Sequence, residues 1–179
     1  MAAAGPNQET EVKVSSDGAQ NFIDWYYKDI NEHRSLSSYY VNASTMYTGV
    51  GATADIVING AQLASAIDYE ALLLEQRGGA TSKIRVRYEV DGFDVQVLNP
   101  NFGLACPEQI LAKGPDKSGG RISMAVQVSG ILHLGAGADA PRKAFNEVFV
   151  LVPNWDAAGP RAPRNLKKWL ILSQNYRTL

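Results

Sequence analysis

The chain holds a single cysteine, Cys106, and only two histidines, His33 and His133, far apart in sequence. That excludes a zinc site of the usual kind, which needs closely spaced sulfur and nitrogen ligands, and no metal or cofactor is expected. It also excludes an internal disulfide, so a reducing cytoplasm or nucleus is the expected setting. No apolar run approaches the ~20 residues of a membrane helix. The start, MAAAGPNQET, lacks the basic and apolar regions of a signal peptide. With a net charge of −1 there is no global attraction to nucleic acid, so any such contact must rest on local patches. The glycine-rich pieces GVGA at 49–52 and GAGA at 135–138 lack the lysine and the strand–helix setting of a phosphate loop.

What is present is patterned. The chain of 179 residues is 45% hydrophobic, enough for the core of one domain. Residues 1–14 are small and polar and read as a disordered tail; residues 15–179 read as the domain. Ser15, Ser16 or Asp17 can cap a helix in which Phe22, Tyr26, Ile30 and His33 share a stripe bordered by Ile23 and Tyr27. Asp24, Lys28, Asp29 and Glu32 take its wet side. Leu36–Tyr40 reads as a short second helix, and Thr45–Val50 and Asp55–Ile58 as short β-type runs. Asn59-Gly60 reads as a turn, and Leu63 to Leu74 as an amphipathic helix ending near Gly78-Gly79.

From Lys83 the period changes to two. Ile84, Val86, Tyr88 and Val90 alternate with Lys83, Arg85, Arg87 and Glu89. Phe93, Val95 and Val97 continue the alternation, so Asp91-Gly92 reads as a bulge in one bent strand in preference to a hairpin turn. Residues 99–120 break all periodicity and read as an inserted loop. Arg121–Leu134, Ala144–Val152 and Trp169–Arg177 are three more strands. Helices followed by an antiparallel meander make an α+β architecture with the helices on one face.

Each late strand has one bulky apolar face and one mixed face. Ile122, Met124, Val126, Val128 and Leu132, with Phe145, Glu147, Phe149 and Leu151, belong against the helices. The other face carries Gln127, Ser129, Asn146, Val148, Val150, Ile171, Ser173, Asn175 and Arg177. Over three strands that set is too apolar for open water and too polar for a core. It has the composition of a protein–protein interface, with Val148, Val150 and Ile171 as the deciding residues.

The helix FIDWYYKDINEHRSLSSYY, the segment VDGFDVQVLN, the strand FNEVFVLVPN and the terminus WLILSQNYR together resemble the nuclear transport factor 2-like family. They are most similar to the small subunit of the heterodimeric fungal messenger RNA export receptor. The likeness implies a cone-shaped fold, a curved antiparallel sheet packed on helices. It also implies a non-catalytic subunit in the nucleus and at the nuclear pore, shuttling to the cytoplasm. Such a subunit pairs sheet to sheet with the similar domain of a large export receptor, and the heterodimer carries messenger ribonucleoprotein past nucleoporins. The family's dimer face maps onto Arg177, Asn175, Val148 and Gln127, which lie on the mixed face found by alternation. The homodimeric import member of the family binds Ran through acidic residues in the loop that here reads GAGADAPRK. Gly135 and Gly137 stand at the matching positions, which speaks against Ran as a partner.

Two other classes compete. A cavity enzyme of the isomerase or dehydratase type would draw on Tyr26, Tyr40, Asp55, His33 and His133, but none shows a paired acid or base. A homodimeric transport scaffold of the same family is the second, to be told apart by its mass in solution. Separately, Lys113, Lys117, Arg161, Arg164, Lys167 and Lys168, with Arg142 and Lys143, are candidates for phosphate contacts with RNA or ribosomal particles.

Overall fold

Asn7 opens the fold. Its side-chain oxygen accepts the Thr10 N–H at 2.8 Å and caps helix α1, Gln8–Asn31. The computed structural model describes residues 4–179. The helix therefore starts well ahead of the Ser15–Asp17 caps, and residues 8–14, expected within a disordered tail, are helical; residues 1–3 of that tail lie outside the described residues. Glu9 and Glu11 suit the positive end of the helix dipole, and Val14 and Ser15 pack inward, which fixes the early turns. At the other end His33 adopts φ 59° and closes the helix with a backbone bond to Ile30.

Two departures follow. Leu36–Tyr40 winds not as a helix of its own but as 3-10 turns at Ser37–Tyr39 and Val41–Ala43. Thr45–Val50, expected as β-type, begins with helix α2, Thr45–Thr48. Burial of Tyr47 decides this: the single turn lets its hydroxyl donate to the Pro153 carbonyl at 2.6 Å, and that contact outweighs strand propensity. Strand β1, Asp55–Ile58, then meets β2, Ala61–Leu63, through Asn59 and Gly60. Both turn residues have positive φ, 49° and 84°, as a two-residue hairpin of this hand requires. Leu63 is thus a strand residue, and helix α3 spans Ala66–Gln76.

Strand β3, Val86–Asn99, runs unbroken through a register shift between Val90 and Gly92, the bulge that the alternation predicts. The insertion carries one short helix, α4, Glu108–Leu111. Strands β4 (Ser123–Leu134), β5 (Arg142–Pro153) and β6 (Trp169–Thr178) complete a six-stranded sheet ordered β2-β1-β6-β5-β4-β3. From β3 to β6 it is the expected antiparallel meander. It is mixed overall, because β1 lies parallel to β6. The long connection from β1 through α3 to β3 lets the chain return to the far edge of the sheet.

The core lies between α1 and the inner sheet face. Phe22 meets Tyr26, Tyr39 and Phe149 at centroid distances of 5.0–5.9 Å, and Tyr27, Tyr88, Phe145 and Tyr176 continue the aromatic layer. Edge-to-face and offset contacts of this kind add to the burial they bring. Asp29, read as a wet residue, is buried: it accepts from the Tyr39 hydroxyl and sits 3.5 Å from the Arg34 guanidinium. The insertion is pinned to the body. Arg121 donates to the carbonyls of Asn101, Phe102 and Gly114 at 3.0–3.1 Å, and Trp155 donates to Leu104 at 3.0 Å while stacking on Phe102.

Candidate partner-binding face

The outer sheet face is built by register. Across β4, β5 and β6, Ala125, Val150 and Ser173 stand in one row. Gln127, Val148 and Asn175 form the next, and Ser129, Asn146 and Arg177 the third. Their neighbours along each strand, among them Val126, Phe149, Gln174 and Tyr176, are buried on the core side. Alternation thus sends one set inward and the other outward. Ser129 donates to Asn146 Oδ1 at 2.8 Å, which holds that amide in the plane of the face. Val148 is 40% exposed at the centre of the pattern. Arg177 is exposed, and none of the described carboxylates pairs with it.

Ile171 leaves this set. It pairs with Leu151, whereas Ser173 pairs with Val150, so two residues of β6 that should share a face sit opposite two residues of β5 that face opposite ways. Leu172 is the extra residue of a bulge at that point. Ile171 is 0% exposed and bridges to Tyr40. Alternation read along β6 alone cannot see a bulge set by its partner. The face gains other residues in exchange. Parallel pairing of β1 places Val57 beside Asn175 and Asp55 beside Ser173, and β3 adds Asp94 beside Gln127 and Gln96 beside Ala125. The alternation of Asp55-Ile56-Val57-Ile58 was readable; which strand it would join was not.

Beneath the face, on the side that alternation marks as apolar, sits a polar cluster. Glu147 is 1% exposed. Its carboxylate accepts from the Tyr27 hydroxyl and from Gln174 Nε2, each at 2.6 Å. Gln174 also donates to Tyr26 at 2.8 Å and accepts from Tyr40 at 2.6 Å. Burial pushes the Glu147 carboxyl up to about 7, and the two donors oppose that rise. Tyr26 and Tyr40, two of the enzyme candidates, are spent in this network, and burial raises both phenols above their ordinary range. The remaining candidates lie elsewhere. His33 is exposed, and desolvation and Arg77 lower its pKa. His133 lies 2.9 Å from Glu89 on the outer face, and Asp55 accepts from Gln62 at 3.0 Å. The five are not brought together. Among the described residues no group of three or more metal-ligating side chains occurs, and no helix is long and apolar enough to cross a membrane.

The basic candidates divide. Lys113 and Lys117 are exposed on the insertion, and Arg161 is exposed on the loop after β5. Arg164, Lys167 and Lys168 instead line a groove beside α1. Lys167 is half-buried there, with Nζ 4.6 Å from the Tyr39 ring centroid and 4.0 Å from Asp29.

No protein-family model matches the chain, and no curated protein matches it. Solved structures do. The chain is 38% identical to a chain of a complex described as a Sac3N peptide bound to Mex67:Mtr2, with a TM-score of 0.84, over 92% of this chain and 99% of that one. A structure of Mtr2 gives 35% identity and a TM-score of 0.80 over 92% and 99%. A chain of the complex described as the Chaetomium thermophilum Mex67 NTF2-like domain complexed with Mtr2 gives 38% and 0.83 over 92% and 98%.

Proposed function

This chain belongs to the nuclear transport factor 2-like family, among the Mtr2 proteins, and from that premise we propose that it is the non-catalytic small subunit of a messenger RNA export receptor. It pairs, outer sheet face to sheet face, with the NTF2-like domain of a large subunit of the Mex67 type. The heterodimer then carries messenger ribonucleoprotein through the nuclear pore, between nucleus and cytoplasm. The observation that carries this reading is the likeness, over nearly the whole of both chains, to structures that hold Mex67 and Mtr2 together.

The face described above suits the role. Its centre is the half-exposed Val148, flanked in its row by the amides of Gln127 and Asn175, and at one end Arg177 offers a planar fork to a partner carboxylate. Catalysis has no part in this reading: the one strongly shifted carboxyl, Glu147, has both oxygens engaged and is sealed in the core. Lys113, Lys117 and Arg161 are the residues through which the insertion and the following loop would touch RNA or ribosomal particles, by phosphate contacts alone.

Co-expression with a Mex67-type NTF2-like domain tests the pairing. A one-to-one complex is expected, weakened by Arg177→Glu while the isolated chain keeps its fold. A stable homodimer indifferent to that domain would replace the reading with a homodimeric scaffold.

A further inference from the structure

A groove of about 580 Å³ runs between α1 and the loop that precedes β6, walled by Trp25, Phe22, Leu166 and Trp169. Trp25 is 53% exposed. Leaving so large an apolar surface half in water is unfavourable, and an exposed tryptophan in a concave site is typical of a recognition anchor. Cations ring the groove. Arg164, Lys167 and Lys168 line it, and Lys28 Nζ stands 5.3 Å from the Trp25 ring centroid. The nearby Asp29 faces Arg34 at 3.5 Å and Lys167 at 4.0 Å, so it offsets part of the Lys167 charge, and Arg164 and Lys168 are the cations it leaves unpaired.

We propose that this groove docks a short acidic peptide segment, which seats one apolar side chain between Trp25, Leu166 and Trp169 and sets its carboxylates on Arg164 and Lys168. The volume lies within the range of clefts that take small ligands. The charge complements carboxylates, and pairing there would weaken with salt. A nucleic-acid strand would present negative charge as well, but it binds such grooves by stacking bases on open aromatic faces. Here cations and core packing compete for the faces of Trp25, Tyr39 and Phe22. Lys28 and Lys167 stand 5.3 and 5.9 Å from the Trp25 ring, Lys167 covers Tyr39, and Phe22 packs on Tyr26, Tyr39 and Phe149. What remains open is an apolar slot with ammonium and guanidinium groups at its rim. The groove lies on the helix side of the sheet, so it stays available when the outer face is covered, and its occupancy does not depend on that pairing.

Fluorescence anisotropy of a labelled short peptide, one leucine flanked by aspartates, titrated with the full chain, tests this. Saturable binding is expected. Trp25→Ala, and separately Arg164→Glu with Lys168→Glu, should each weaken it about tenfold or more. Replacing the aspartates by lysines should abolish it. All three side chains are exposed, and far-UV circular dichroism checks that the variants keep the fold. Absence of binding, or binding indifferent to both variants, would overturn the proposal. So would an oligouridine that binds in place of the peptide and is lost with Trp25→Ala, since the groove would then be a nucleic-acid site.

Discussion

Val148 and Asn175 stand directly opposite each other across β5 and β6, both on the outer face, at the middle of a row that runs from Asp94 to Val57. A charge placed at Val148 would sit at the centre of the proposed paired surface, where desolvation would be most complete. Val148→Asp is therefore expected to weaken the complex with a Mex67-type domain by about 2 kcal/mol or more, roughly thirtyfold in Kd. The isolated variant should melt as the native chain does, because Val148 is 40% exposed and leaves no cavity. Titration calorimetry with the partner domain, beside thermal melts of the chain alone, reads both quantities. Unchanged affinity would remove this row from the interface.

Glu147 gives a pH signature. Burial raises its folded pKa to about 7, above the ordinary carboxyl value of ~4.3. Between those values the folded chain binds a proton that the unfolded chain releases. Its contribution to stability is therefore full below about 4.3, declines as pH rises toward 7, and is flat above. Other carboxylates can act in the opposite sense, so the difference between native chain and Glu147→Gln isolates this group. In urea unfolding that difference should shift toward the native chain as pH falls from ~7 to ~5. A difference independent of pH would mean that Glu147 does not titrate there.

The fold was largely readable because its signals are local. The three late strands, the bulge before Gly92 and the stripe Phe22, Tyr26, Ile30 and His33 rest on periodicities of two and 3.6, and each holds in the structure except at His33, which lies past the helix end and is exposed. Most of the outer face followed from the same alternation. The misses share a cause, since each depends on a distant partner. Ile171 turns inward at a bulge defined by β5, and α2 forms because Tyr47 reaches Pro153. Val57 joins the face because β1 docks parallel to β6. Glu147 lay in plain sight on the apolar side, but its partners Tyr27 and Gln174 come from separate elements.

Arg121 decides whether the insertion is a platform or a loose loop. Its guanidinium satisfies three carbonyls, and Phe102 N–H returns a 2.8 Å bond to the Arg121 carbonyl. Arg121→Met keeps most of the volume and removes the donors. Amide exchange across 101–120 is then expected to quicken markedly while β4 and β5 stay protected, with a cost of about 1–3 kcal/mol for the lost charged hydrogen bonds. Unaltered exchange in that segment would show that Trp155 and Phe102 hold it without Arg121.

Asn31, the last residue of α1, closes the open edge of the sheet. Its amide donates to the Tyr88 carbonyl at 2.9 Å and accepts the Tyr88 N–H at 2.8 Å, so one side chain stands in for a neighbouring strand. β3 is the terminal strand of the sheet, and an unpaired edge invites pairing with another chain. Asn31→Ala leaves both backbone groups without their partner beside a buried tyrosine, which should destabilise the chain by about 1–3 kcal/mol. Asn31→Asp makes the sharper test: it keeps the acceptor for the N–H but turns a carboxylate oxygen toward the Tyr88 carbonyl. If the edge mimicry is real, the aspartate should be at least as destabilising as the alanine at neutral pH, and it should recover as the pH falls and the carboxyl becomes a donor again. Chemical denaturation of the two variants across pH measures this. An aspartate variant as stable as the native chain would show that the amide contact contributes nothing.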